Sequence, residues 1–119
     1  MEGIRVFVYG TLKRGEPLHP LLRKARFLGE GHVRDYVLYD LGEYPAARPA
    51  SGKAEVWGEV YEIEPDVLKI LDEVEEEYDR KEVRVEMEGG RVIRAWMYIY
   101  QEPLPESQRL VEGRWGKSR

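Results

Sequence analysis

The stretch from Arg91 to Gln101 constrains the fold more than any other part of the chain. Val92, Trp96, Tyr98 and Tyr100 alternate along it with Ile93, Ala95, Met97 and Ile99. Successive side chains of a strand point to opposite faces. This strand therefore needs apolar cover on both sides, which places it at the centre of a sheet or in a barrel wall. The segment before it, Arg80 to Glu88, alternates through Val83, Val85 and Met87, and Gly89-Gly90 reads as the two-residue hairpin turn between them.

Two further segments alternate. Ile4, Val6 and Val8 oppose Arg5, Phe7 and Tyr9, and Ala54 to Ile63 sets Trp57, Tyr61 and Ile63 against Val56, Gly58 and Val60. Gly58 weakens a strand interior, so it marks a bulge or a close backbone approach. His32 to Asp40 reads as another strand, and Leu41 to Gly52, "LGEYPAARPASG", as a long loop. The clearest helix is "EPDVLKILDEVEEEY". Pro65 suits its first turn and Asp66 its positive pole, while Val67, Leu68, Leu71 and Val74 form the apolar stripe. A short helix is expected over Leu18, Leu21, Leu22 and Ala25, ended by Gly29 and Gly31. The stretch from Glu102 carries two prolines and polar residues and reads as a loosely attached tail. Five or six strands and two helices without regular alternation indicate an α+β fold, a curled, mostly antiparallel sheet or small barrel.

A length of 119 residues suits one domain, 1–119, and 42% apolar residues suffice for its core. No apolar run is long enough to span a membrane, and no leader pattern opens the chain, so the cytoplasm is the expected location. The absence of cysteine excludes disulfides, thiolate metal sites and a cysteine nucleophile. A net charge of −4 argues against a dedicated nucleic-acid binder. The 35% of charged residues fits a heat-adapted protein or an ordinary solvated surface. His19 and His32 have no metal-ligand spacing, and Ser51 and Ser118 no nucleophile-elbow context. No metal or cofactor is expected.

Two places can carry chemistry. In "VFVYGTLKRG", Val6 to Gly15, a strand runs into a glycine-bordered loop. Such a loop can turn several N–H groups toward one oxygen and hold an anion, or it can be a plain turn. It is not a phosphate loop, because the Gly-Lys-Ser/Thr ending is missing. The second place is the acidic run at the end of the main helix, Asp72, Glu73, Glu75, Glu76, Glu77 and Asp79. Most of these read as a solvated face. Glu75 stands next to Val74 and one turn after Leu71, and so can border the core. A carboxylate there is desolvated, its pKa rises, and it suits a general base near neutral pH.

Together these segments resemble the γ-glutamylcyclotransferase-like family, in its AIG2-like branch. "VFVYGTLKRG" is similar to the family's opening strand and substrate loop. "LYDLGEYPA", Leu38 to Ala46, is similar to its second strand and following loop. "GEVYEI", Gly58 to Ile63, and "LKILDEVEEEYDRKEVRV", Leu68 to Val85, resemble its later strand and its Leu-Asp-x-x-Glu helix end with a following Tyr-x-Arg. The resemblance covers about residues 4 to 101. It implies a small mixed barrel with flanking helices. It also implies an enzyme in which the free α-amine of a γ-glutamyl compound attacks its own γ-carbonyl, releasing 5-oxoproline and an amine or amino acid. By the match, Glu75 is the general acid/base, and Tyr9, Gly10, Thr11 and Leu12 bind the substrate, with Tyr44 and Pro45 lining the pocket and Asp72 structural. The implied partner is a small γ-glutamyl molecule. A family member that binds a metabolite without turnover, and an interaction module built on Trp57, Trp96 and Tyr98, are the alternatives.

Overall fold

The computed structural model describes residues 3–52 and 54–116. Five strands close into a barrel: β1 (Ile4–Val8), β2 (Arg26–Arg34), β5 (Glu55–Ile63), β6 (Asp79–Met87) and β7 (Val92–Ile99), in the order β1-β5-β2-β6-β7. Every neighbouring pair is antiparallel except β1 and β7, whose parallel pairing at Val6–Trp96 and Phe7–Met97 closes the ring. A second, three-stranded sheet is formed by β3 (Tyr36–Asp40), β4 (Pro45–Pro49) and β8 (Arg109–Leu110), in the order β4-β3-β8. A single α-helix, α1 (Pro65–Val74), is found among the described residues.

The two-sided pattern of β7 is satisfied over its second half, while Val92 at its start is 44% exposed. Ala95, Met97 and Ile99 pack with Phe7, Val56, Val60 and Val85 in one core, while Tyr98 joins Val6, Val8, Tyr61, Ile63 and Leu71 in a second core under α1. Leu71 is fully buried, which contributes about 2 kcal/mol to docking the helix. Gly58 is a close approach rather than a bulge. A Cβ there would lie 2.3 Å from the Val8 carbonyl oxygen and 2.8 Å from the Phe7 ring. The irregularity falls in β2 instead, between Phe27 and Gly29.

Several sequence expectations are corrected. The helix expected over 18–25 is a single 3₁₀ turn, His19–Leu22, since prolines at 17 and 20 leave no room for an α-helical ladder. The expected strand from His32 to Asp40 is two strands from different sheets. Asp35 adopts a left-handed conformation (φ 69°) between them, its N–H donating to Ala54 O and its carbonyl accepting from Ala50 N–H, both at 2.9 Å. Asp tolerates this region better than most residues. The long loop contains β4, which lies at a sheet edge where its prolines remove no ladder bond. Val74 is 44% exposed rather than part of a buried stripe. The hairpin turn spans 88–90, because Met87 N–H still pairs with Arg91 O at 2.7 Å.

As far as Gly116 the tail is docked, not loose; residues 117–119 lie outside the described residues. Leu110 pairs with Leu38, Trp57 N–H donates to Gly113 O at 2.9 Å, and Trp115 is buried in the barrel core at 6% exposure. The proposed aromatic surface patch does not form either. Tyr98 is buried, and Trp57 and Trp96 lie under the guanidinium groups of Arg114 and Arg80, at 4.4 and 4.5 Å.

Candidate active site

The chain leaves β1 at Val8 and turns immediately. Lys13 N–H donates to Gly10 O at 3.0 Å, Leu18 N–H to Thr11 O at 2.9 Å, and Arg14 N–H to the Glu59 carboxylate at 3.1 Å. Among the described residues, the N–H groups of Gly10, Thr11 and Leu12 donate to no other group of the chain. Tyr9 anchors the loop from below. Its buried hydroxyl donates to Tyr98 O at 2.7 Å and accepts from Ala47 N–H at 3.1 Å, joining the barrel to the second sheet. Gly10 sits against the Pro45 ring, where a Cβ would come within 2.5 Å of it. Only a residue without a side chain allows β4 to approach the loop this closely.

Across from this loop, α1 ends at Val74, and Glu75 caps it with its N–H on Leu71 O at 2.9 Å. Glu75 O then accepts from Tyr78 N–H at 2.9 Å, and the Tyr78 hydroxyl donates to Pro45 O at 2.7 Å. Asp72, one turn earlier, accepts from the Tyr98 hydroxyl at 2.6 Å and from both Arg80 Nε and Nη2, at 2.9 and 3.1 Å. These bonds fasten the helix end to β6 and β7, and they leave Asp72 with a structural part.

Glu75 therefore faces the Gly10 turn. The two meet in a recess of about 30 Å³, to which Tyr9, Thr11, Leu12, Tyr44 and Pro45 also contribute. That volume holds about two water-sized groups. An outer cleft of about 710 Å³ shares Thr11, Tyr44, Glu75 and Tyr78 with the recess. Burial pushes the Glu75 carboxyl up to about 7. No ion pair to its carboxylate occurs among the described residues. The hydroxyls of Tyr9, Tyr78 and Tyr98 are raised too, first by burial, then by Tyr78 at Tyr9, by the Glu75 charge at Tyr78 and by Asp72 at Tyr98. A half-buried acid, poised between its two protonation states and ringed by neutral tyrosines, can accept and return a proton near neutral pH. No group of residues able to hold a metal ion occurs among the described residues.

Tyr9, Gly10, Thr11, Leu12, Tyr44, Pro45 and Glu75 thus all line this one recess, while Asp72 does not. The sequence reading did not assign Tyr78 or Tyr98 to it. Tyr78 carried a signal, the Tyr-x-Arg spacing three residues after Glu75. Tyr98 carried none beyond its place in the barrel wall.

A closed barrel that sets one half-buried acid against a glycine turn defines a class of small barrel proteins with cyclotransferase-like architecture. An uncharacterised protein from Pyrococcus horikoshii has this fold, with a TM-score of 0.74 and 32% identity over 93% of this chain and 88% of that one. An AIG2-like protein from Mus musculus has it too, with a TM-score of 0.77 and 32% identity over 89% and 82% of the two chains. The gamma-glutamyl cyclotransferase, AIG2-like family matches residues 6–117, and the chain belongs to that family. The gamma-glutamylcyclotransferase family protein YtfP of Escherichia coli is 35% identical over 115 residues, which span 94% of this chain and 96% of that protein.

Proposed function

We propose that the protein is a γ-glutamylcyclotransferase that releases 5-oxoproline from a γ-glutamyl compound, with Glu75 as its general acid/base. The observation that carries this reading is the Glu75 carboxyl, raised by burial to about 7 and lining the same recess as the Gly10 turn.

The reaction needs little from the protein, because the substrate brings its own nucleophile. Its α-ammonium must lose a proton, its chain must curl so that the nitrogen meets the γ-carbon, and the leaving nitrogen must gain a proton. Ionised Glu75 takes the first proton. The α-nitrogen then closes on the γ-carbon, the bond from that carbon to the leaving nitrogen breaks, and Glu75 returns the proton to the leaving amine, which also takes up the second proton shed by the ring nitrogen. The uncommitted N–H groups of Gly10, Thr11 and Leu12 supply donors for the substrate carboxylate or for the oxyanion that develops on the γ-oxygen. The small recess suits such an oxygen-bearing group, and the outer cleft suits the departing amine.

The test is incubation with a panel of γ-glutamyl compounds, followed by mass spectrometry for 5-oxoproline. Glu75→Gln keeps the side-chain shape and removes the proton acceptor. We expect it to fold and to lower turnover by about 10²–10⁴-fold. Full activity in that variant would eliminate Glu75 as the acid/base.

A further inference from the structure

One carboxylate sits where the barrel's pattern asks for an apolar side chain. Along β5, Trp57, Glu59, Tyr61 and Ile63 share a face, and Glu59 pairs with Val8, the last residue of β1. At 9% exposure it is the only charged residue buried among the described residues. Burying a carboxylate is costly unless donors answer it. Arg14 N–H reaches Oε1 at 3.1 Å, the Tyr61 hydroxyl reaches the same oxygen at 3.0 Å, and Arg14 Nε stands 3.7 Å from Oε2. Burial and then the Glu59 charge raise the Tyr61 hydroxyl, so it remains a donor. Two of these three contacts come from the loop that follows β1. A trans peptide unit sends its C=O and its N–H to opposite sides. In that loop Gly10 O, Thr11 O and Leu12 O accept from Lys13 N–H, Leu18 N–H and His19 Nδ1, at 3.0, 2.9 and 3.0 Å. The N–H groups of Thr11 and Leu12 are thereby turned the other way. Tyr9 and Pro45 hold the near end of the loop at Gly10. Glu59 holds its far end.

We propose that Glu59 is a positioning residue, which through Arg14 N–H keeps the Thr11 and Leu12 donors aimed at the substrate. This rests on the cyclotransferase reading above and deepens its account of the loop. Glu59 lines neither the recess nor the outer cleft, so it acts through the loop alone. It is well placed to do so. It projects from the middle of β5, which is paired with β1 on one side and β2 on the other. Its neighbour Gly58 admits the Val8 carbonyl more closely than any side chain would allow, so the root of the loop and its far anchor share one rigid strand. A charge-assisted bond to a backbone N–H is stronger than a neutral one. Without it, the loop spends time in conformations that scatter its donors, and apparent affinity falls with the fraction of molecules that keep them aligned.

Two substitutions at Glu59 test this. Glu59→Leu fills the site and removes the acceptor, whereas Glu59→Gln keeps a neutral oxygen for Arg14 N–H. In 5-oxoproline release from a γ-glutamyl amide, Glu59→Leu should raise KM about tenfold and change kcat by less than about twofold. Glu59→Gln should stay within about threefold of the wild-type KM. Val85→Ala, a cavity in the barrel core, controls for lost stability and should leave KM unchanged. If Glu59→Leu does not fold, Glu59→Ala, which admits water to the site, reads the same quantities. An unchanged KM on loss of the acceptor, an equal rise in Val85→Ala, or no recovery in Glu59→Gln overturns the proposal. Backbone amide relaxation separates it from the reading on which it rests. On loss of the acceptor, order parameters at Thr11 to Arg14 should fall from about 0.85 to below about 0.6, with the strands unaffected. If wild type releases no 5-oxoproline while these values fall, cyclisation fails and the loop assignment stands. If they do not fall, the loop assignment fails.

Discussion

Glu75 is the residue whose chemistry and energetics are most tightly linked. Its carboxyl is raised from 4.5 to about 7 by burial alone, so the folded chain holds a proton that the unfolded chain gives up between those values. Stability therefore falls as pH rises from about 4.5 through 7, and the cost levels off above pH 7 at about 3 kcal/mol. Glu75→Gln removes that cost. The variant should match the wild type near pH 4 and exceed it at pH 8.5 by about 2–3 kcal/mol in urea unfolding. Equal stability at both pH values would mean that the side chain is solvated. Activity moves the opposite way. The base works only when ionised, so kcat/KM should climb with pH through about 7, readable from a 5-oxoproline rate profile. The acid proposed to turn over substrate at neutral pH is thus one the fold accommodates at a cost. At this scale the sequence was legible wherever backbone chemistry or core adjacency sets a residue's part. Glycines after a strand mark an exposed turn, and an acid one turn beyond a buried leucine must border the core. Tyr98 was illegible because a barrel-wall tyrosine reads alike whether its hydroxyl meets water or Asp72.

Among elements, α1 is the one on which the proposed chemistry depends, and it does not hold its own end in place. Glu73, Glu75, Glu76 and Glu77 crowd its C-terminus, where the helix dipole is already negative. Little apolar surface anchors that last turn, since Val74 is exposed and Leu71 is the only helix residue fully buried. What fixes it is Asp72, held by the Tyr98 hydroxyl and by two nitrogens of Arg80. The ion pair is partly solvated, with side-chain exposures of 28% and 39%, so its share is small. The Tyr98 bond is shorter and reaches a buried ring. Tyr98→Phe should cost about 1–2 kcal/mol in chemical denaturation. It should also lower turnover, because the helix end that carries Glu75 is loosened; an unchanged kcat would show that the anchor has no bearing on the acid. The same scale shows why some elements escaped the sequence. The barrel strands and α1 follow simple periods. β4 is bracketed by Pro45 and Pro49 and imitates a loop, yet an edge strand tolerates both. The break between β2 and β3 rests on one aspartate at positive φ, which no hydrophobic pattern records.

Over the whole molecule, the loop that follows β1 meets the C-terminal segment behind the recess. The barrel alone would leave the back of the Gly10 turn open, and the segment from Arg109 to Gly116 covers it. β8 adds to β3, Gly113 bonds Trp57 N–H, and Trp115 enters the same core as Phe7 and Tyr9, with its ring 4.0 Å from where a Gly10 Cβ would be. Lys13, from the loop itself, donates to Trp115 O, and burial lowers its ammonium pKa. A polar, proline-bearing tail gives no periodic signal. The only hint was a third tryptophan in a stretch otherwise rich in charge. Because Trp115 is a core residue that also backs the proposed substrate loop, its loss should register twice. Trp115→Ala should destabilise the fold by about 3–5 kcal/mol, measured by urea unfolding. In the fraction that stays folded, it should raise KM for a γ-glutamyl amide more than it lowers kcat, since Glu75 is held from the other side of the recess by α1. Trp115→Phe, which refills most of the cavity, should restore much of the stability and the KM together. If KM instead stays at the wild-type value while stability falls, the C-terminal segment closes the barrel without shaping the loop, and the turn at Gly10 owes its form to Pro45 and Tyr9 alone.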